Sequence, residues 1–186
     1  GMCKAVSERV HIRANTPNMI CNAVRYGNVI NSRGSLIPII KQKFKAGEVV
    51  QLTHPDMTRF FLTLKSSVEL IRQALADNEG GKIFIPKIRS AKITDIIDVF
   101  REHYACDSSL VQISKIRPGE KIHEVLISKE ELARAESVGD VFVLHDILAD
   151  TCFLDITEEY SSGLPTSLLT RAELVGFLTQ SKIFEE

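Results

Sequence analysis

Arg25-Tyr-Gly-Asn-Val-Ile-Asn-Ser-Arg-Gly-Ser35 sets a strand-like run directly beside a loop of Gly, Asn, Ser and Arg. Such a loop can bring backbone and small polar side chains close to a phosphate. Two later segments share its character: Thr53-His-Pro-Asp-Met-Thr-Arg59-Phe-Phe and Ile116-Arg-Pro-Gly-Glu-Lys-Ile-His-Glu124. Each of the three offers a guanidinium among turn-forming or small residues, a pattern suited to a doubly charged diphosphate.

Bulk composition narrows the partners. The 186 residues are 44% hydrophobic and 25% charged, with 23 basic against 24 acidic residues and a net charge of -1. These are the values of a globular chain that buries a core, read as one body. A balanced charge argues against a nucleic-acid face, so any basic site is local. Cys3, Cys21, Cys106 and Cys152 show no CxxC spacing, which favours reduced thiols packed in the interior and a cytoplasmic setting. His11, His54, His103, His123 and His145 carry no paired-ligand spacing, so no metal site is expected; hydrogen bonding is the reading for His54 and His123. Apolar runs such as Val141 to Leu144 are too short to span a bilayer.

Periodicity gives alternating elements. Helices are expected over Lys4 to Asn15, after Leu36-Ile-Pro up to about Gly47, over Ser66 to Ala76, and from an N-cap at Thr94 to Tyr104. Capping boxes at Ser128-Lys-Glu-Glu131 and Thr170-Arg-Ala-Glu173 start a short helix to about Glu136 and a closing helix, Leu174 to Thr179. Strands are expected at Met19 to Val29, Val49 to Leu52, Lys82 to Pro86, Leu110 to Ile116, Val141 to Leu144 and Cys152 to Ile156. Gly27 marks a place for close backbone approach by a ligand. The fold class is α/β, with some strands parallel and joined by crossovers. Neither GxGxxG nor GxxxxGK[ST] occurs, and no GxSxG elbow or Cys/His pair offers acyl transfer. By its residues alone the chain resembles half of a site.

Five segments carry a resemblance: Arg25-Tyr-Gly-Asn-Val29, Ser32-Arg-Gly-Ser35, Thr53 to Phe61, Ile83-Phe-Ile-Pro-Lys87 and Ile116 to Ser128, with Glu159-Tyr-Ser-Ser162 near the end. In this order they resemble the carboxyl-terminal half of UDP-N-acetylglucosamine 4,6-dehydratases of the short, C5-inverting type. Those enzymes belong to the polysaccharide-biosynthesis branch of the extended short-chain dehydrogenase/reductases. The resemblance implies the last part of an extended Rossmann-type fold plus a small α/β substrate-binding domain, with residues 1–48 ending the dinucleotide-binding domain and residues 49–186 forming the interleaved substrate part. Gly1-Met-Cys-Lys4 is similar to the end of the family's Tyr-x-x-x-Lys motif. Lys4 then matches the catalytic lysine that binds the nicotinamide ribose, Tyr26 is a second cofactor contact, and the motif's tyrosine would precede Gly1. The family uses NADP, which this half is not expected to retain.

The same resemblance implies the substrate contacts. Asn28, Arg59 and Arg117 match diphosphate ligands, Glu120 the acceptor of ribose hydroxyls, and Ile37 with Pro38 the lining of the uracil pocket; Ser32, Arg33 and Thr58 are further substrate positions, and Lys121 another. Planar guanidinium forks suit bidentate phosphate contact. From the residues alone, other readings stay open. Arg117 beside Pro-Gly is equally a solvated turn residue, Asn28 a turn former, and Glu120 a surface partner of Lys121 or Lys115. The implied function is the UDP-sugar-binding half of the dehydratase, with a UDP-sugar 4-epimerase fragment or a non-catalytic UDP-sugar-binding or scaffolding module as alternatives. A half without its counterpart exposes apolar surface, so self-association as a homo-oligomer is expected.

Overall fold

The computed structural model describes residues 2–148, 152–153 and 156–185. In chain order its elements begin with α1 (Met2–Arg13), β1 (Ala23–Val24), β2 (Asn28–Val29), α2 (Leu36–Lys45), β3 (Val50–Leu52), β4 (Thr58–Leu62), α3 (Leu64–Ala76) and β5 (Lys82–Pro86). They continue with β6 (Ser90–Lys92), α4 (Ile93–His103), β7 (Val111–Ile113), β8 (Val125–Ile127), β9 (Ala135–Val138), β10 (Val141–His145), β11 (Tyr160–Ser161) and α5 (Arg171–Gln180). The chain divides into two compact units that alternate along it: Gly1–Tyr26, Leu64–Lys87 and Val125–Ser161 form unit 1, and Gly27–Thr63, Ile88–Glu124 and Ser162–Glu186 form unit 2.

Unit 1 is built on a sheet of order β1-β5-β10-β9. β1 runs parallel to β5, with Ala23 opposite Ile83 and Val24 opposite Phe84, and the remaining pairs are antiparallel. Lys82 to Pro86 forms the expected strand, and Ile83, Phe84 and Ile85 are all buried. A strand covered on both faces shows a continuous apolar run in place of alternation. Leu70 and Ala74 of α3 pack on Phe84, Val141 and Val143, with Val24 at the rim.

Unit 2 holds a larger core. β2, β4 and β6 form one sheet and β3 with β7 another, the pairs β2–β4 and β3–β7 being parallel. Ile37, Ile40 and Phe44 of α2, Ile93, Ile96, Ile97 and Phe100 of α4, and Leu174 and Leu178 of α5 close on Val50, Leu52 and Phe61. Parallel pairing in both units requires crossover connections, as the alternating pattern implies.

Several local expectations need correction. Met19 to Val29 is not one strand. Only Ala23–Val24 and Asn28–Val29 pair, in different sheets, because the chain leaves unit 1 after Tyr26. Gly27 accommodates the protein itself and not a ligand: a Cβ there would lie 2.4 Å from Phe60 Cβ and 2.8 Å from Phe60 O. Thr94 is not the cap of α4. Lys92 holds that position, and Ile93 N–H donates to Met57 O at 2.9 Å, so tertiary structure satisfies a helix-end donor. The helix after Ser128 is a 3-10 turn, Lys129–Arg134, and Ala135 already pairs with Leu144 in the sheet. Of the strand expected at Cys152 to Ile156, residues 154 and 155 lie outside the described residues, and the others are not in a strand. The cysteines are not all packed in the interior: Cys3 and Cys152 are exposed, Cys21 is half-buried, and the half-buried Cys106 packs against the core of unit 2, all with free thiols. Among the described residues, no helix is long and apolar enough to cross a membrane.

Candidate functional site

In unit 2 a strap, residues 116–124, lies along the start of β4. Arg117-Pro-Gly-Glu120 closes as a tight turn, Glu120 N–H donating to Arg117 O at 3.0 Å, with Gly119 at φ +80° where a type II turn requires glycine. Glu120 returns the bond: its Oε2 accepts from Arg117 N–H at 3.1 Å. That backbone bond, with a hydrogen bond from Thr53 and the nearby charges of Arg117 and Arg59, holds the Glu120 carboxyl below its ordinary pKa. The result is an exposed Arg117 beside an anchored, ionised Glu120.

Further along the strap, Thr58 N–H donates to Ile122 O at 3.0 Å. Arg59 Nη1 donates to Thr58 O at 2.7 Å and to Ile122 O at 3.1 Å, and its Nε lies 3.5 Å from Glu124 Oε1. Burial pushes the Glu124 carboxyl above its ordinary pKa, and Arg59 opposes that shift without cancelling it. The Arg59 fork is therefore engaged by the chain's own acceptors, whereas Arg117 points no side-chain donor at a described partner. Thr58, 2% exposed, is inside the unit and bonds through Oγ1 to His123 Nδ1 at 2.8 Å and to Ser162 Oγ at 2.7 Å.

The stretch Asn28 to Pro38 belongs to the same unit. Asn28 stands opposite Phe61, two residues beyond Arg59 on β4 or on the order of 7 Å along the strand. Its half-buried side chain has no hydrogen-bond partner among the described residues. Ser32 and Arg33 are exposed in the loop before α2. Ser35 caps α2 without a side-chain bond, and its buried Oγ has no partner among the described residues. The helix end therefore presents unmatched donors. Ile37 is 1% exposed and belongs to the core, so it can line a ligand pocket only with main chain; Pro38 sits in the first turn, where its missing N–H costs nothing.

Lys4 and Tyr26 lie in unit 1. Lys4 is exposed on α1 and lines a shallow cleft of about 320 Å³ with Ser7, Glu8, His11 and Asn22 to Val24. Tyr26 is 37% exposed at the end of that unit. Arg25, the first guanidinium of the opening stretch, is fully engaged. Its Nε and Nη2 bond Glu8 at 3.0 and 2.6 Å, and its Nη1 bonds Glu131 at 2.8 Å and Leu126 O at 2.7 Å. Although burial opposes the charge, those bonds raise the Arg25 pKa further above its ordinary value.

Sequence reasoning missed Thr53, Ser162 and Gly163 as supports and read no link between His123 and Thr58. Ser162 stands in a quoted segment, but its pairing with a residue 104 positions away has no local signal.

The chain shares its fold with solved structures. It superposes on Pen from Bacillus thuringiensis with a TM-score of 0.86 at 26% identity, over 98% of this chain and 57% of that one. DesIV of Streptomyces venezuelae, a dTDP-glucose 4,6-dehydratase solved with NAD and TYD bound, shares the fold at a TM-score of 0.54 and 17% identity, over 63% of this chain and 37% of its own. The chain belongs to the polysaccharide biosynthesis protein family, whose model matches residues 1–146. Among curated relatives it is 40% identical over 155 residues to an uncharacterized membrane protein of Methanocaldococcus jannaschii, covering 78% of this chain and 46% of the relative. It is 34% identical over 147 residues to a UDP-glucose 4-epimerase of Rickettsia canadensis, covering 76% and 42%. It spans less than half the length of either relative.

Proposed function

We propose that this chain forms the nucleotide-sugar-binding part of a UDP-N-acetylglucosamine 4,6-dehydratase of polysaccharide biosynthesis. The observation that carries the reading is the Arg117–Glu120 turn, in which an ionised carboxylate pins the backbone of an arginine whose guanidinium is left exposed. The guanidinium suits the diphosphate and the carboxylate the ribose diol of a UDP-sugar. Asn28, Ser32, Arg33, Ser35 and the start of α2 offer neutral and cationic donors in the same unit. Arg59 and Thr58 hold the strap, so their part in binding is support first and ligand contact second.

On this reading residues 1–48 end the dinucleotide-binding domain while bringing Asn28 to Pro38 to the substrate, and residues 49–186 form the interleaved substrate part. A bound NADP would accept and return hydride. This chain's own contribution to it is narrow: Lys4 in its shallow cleft fits the ribose hydroxyls of the nicotinamide end, and no glycine-rich loop here suits the pyrophosphate. A 4-epimerase is an equal reading of the same residues, favoured by the similarity to the Rickettsia canadensis enzyme.

Calorimetric titration with UDP tests the binding claim. Saturable heat at one equivalent is expected, weakened about tenfold or more by Arg117→Ala, since a charged hydrogen bond is lost. Absence of heat overturns it. Products formed from UDP-N-acetylglucosamine separate dehydration from epimerisation; none is expected from the chain alone.

A further inference from the structure

The strap that carries Arg117 and Glu120 is held within unit 2 by two backbone bonds, the Arg59 fork and two buried hydroxyls. Ser162 is fully buried and Thr58 nearly so, and their Oγ atoms lie 2.7 Å apart. Ser162 Oγ accepts from Glu124 N–H at 2.8 Å, and Ser162 N–H donates to Glu124 O at 2.8 Å. His123, between Ile122 and Glu124, spends its Nδ1 on Thr58 Oγ1 at 2.8 Å although its ring is exposed. The ring rests against Gly163, where a Cβ would come within 2.8 Å of its Cγ and Nδ1. An exposed histidine anchored by one nitrogen and seated on a glycine is a fixed one.

The proton bookkeeping closes. With Nδ1 unprotonated, the Thr58 hydroxyl donates to it and Ser162 donates to Thr58 Oγ1 or, at 3.2 Å, to Thr58 O. With Nδ1 protonated, His123 donates to Thr58, Thr58 to Ser162, and Ser162 to Thr58 O. Either circuit leaves both buried hydroxyls satisfied, which burial demands. Removing the ring instead leaves Thr58 Oγ1 one partner short and frees the strap at the residue midway between its two backbone anchors.

We propose that His123 is a positioning residue: through Thr58 and Ser162 it fixes the register of the strap on β4 and so sets where Arg117 and Glu120 meet the ligand. This rests on the UDP-sugar reading of that turn. It also assigns Gly163 a role, because any larger residue would displace the ring.

His123→Asn preserves an acceptor or donor near the Nδ1 position, whereas His123→Ala removes it. In UDP calorimetry the Ala variant is expected to bind about tenfold more weakly and the Asn variant within about threefold of the parent, from the loss or retention of one partly buried hydrogen bond. Hydrogen exchange supplies a readout that needs no ligand: the amides of Thr58, Glu124 and Ser162 should lose protection in the Ala variant and keep it in the Asn variant. Thr58→Val should reproduce the Ala pattern and Thr58→Ser the Asn pattern. Unchanged affinity in His123→Ala overturns the proposal, as does an equal loss in Ala and Asn, which marks a ring that touches the ligand itself. If the parent chain gives no heat with UDP, the functional reading fails and exchange alone decides this one: unaltered protection in His123→Ala sinks it, and selective loss sustains it.

Discussion

Thr58 and Ser162, 104 residues apart in the chain, share a 2.7 Å hydrogen bond between two buried hydroxyls. A buried donor or acceptor left without its partner costs about 1–3 kcal/mol. Thr58→Val should therefore lower the unfolding free energy by about that amount, and Thr58→Ser by clearly less. Denaturant melts of both variants check this; equal losses would show that the methyl group matters as much as the hydroxyl, and a larger loss in Thr58→Ser would overturn the prediction.

Arg25 holds unit 1 together between Glu8 and Glu131, with all three side chains at most 19% exposed. Breaking such a cluster strands two carboxylates and costs about 3–5 kcal/mol. We expect Arg25→Ala to lose stability on that scale. Arg25→Lys should recover little, because a point charge cannot serve two carboxylates and Leu126 O at once. Full recovery by lysine would show that charge alone suffices.

Acid should weaken unit 1 in a defined window. Burial works against the charge of Asp77, yet bonds from Lys82, Gly80 N–H and Asn22 pull its pKa from 3.8 to about 2. Glu131 is likewise lowered, Arg25 overcoming the effect of burial. A depressed folded-state pKa gives stability that is present above the unfolded value and lost as pH falls through the folded one. Stability should drop as pH falls from about 4 to about 2, and Asp77→Asn should flatten that slope. A slope unchanged in the variant would contradict the assignment.

Gly27→Ala forces a methyl into Phe60, whose Cβ and carbonyl oxygen would lie 2.4 and 2.8 Å away. Overpacking against backbone costs about 1–3 kcal/mol, read as a lower thermal midpoint. A neutral substitution would mean that β2 and β4 can separate without penalty.

Exposed apolar stripes run along α1 at Met2, Val6 and Val10 and along α3 at Leu64, Val68, Ile71 and Leu75. Patches of this kind drive association. Light scattering should show concentration-dependent self-association that Val6→Lys with Leu75→Lys reduces; a monomer at every concentration would refute this.

The sequence by itself determined what is encoded locally. The helices expected at Ser66 to Ala76 and Leu174 to Thr179 from apolar spacing and caps form as Leu64–Ala76 and Arg171–Gln180, Lys82–Pro86 follows from a short apolar run, and the Arg117–Glu120 turn from Pro-Gly. The α/β class followed from their alternation, and the family from motifs in order. Tertiary structure alone decided which arginine is spoken for. Arg25, Arg59 and Arg117 look alike in sequence, yet Arg25 is saturated by Glu8 and Glu131, Arg59 holds Ile122 and Glu124, and Arg117 is left outward. A guanidinium's availability depends on acceptors up to 106 residues away, and no local pattern records those. For the same reason Met19 to Val29 reads as one strand but serves two sheets, because pairing is fixed by distant partners at Ile83 and Phe61.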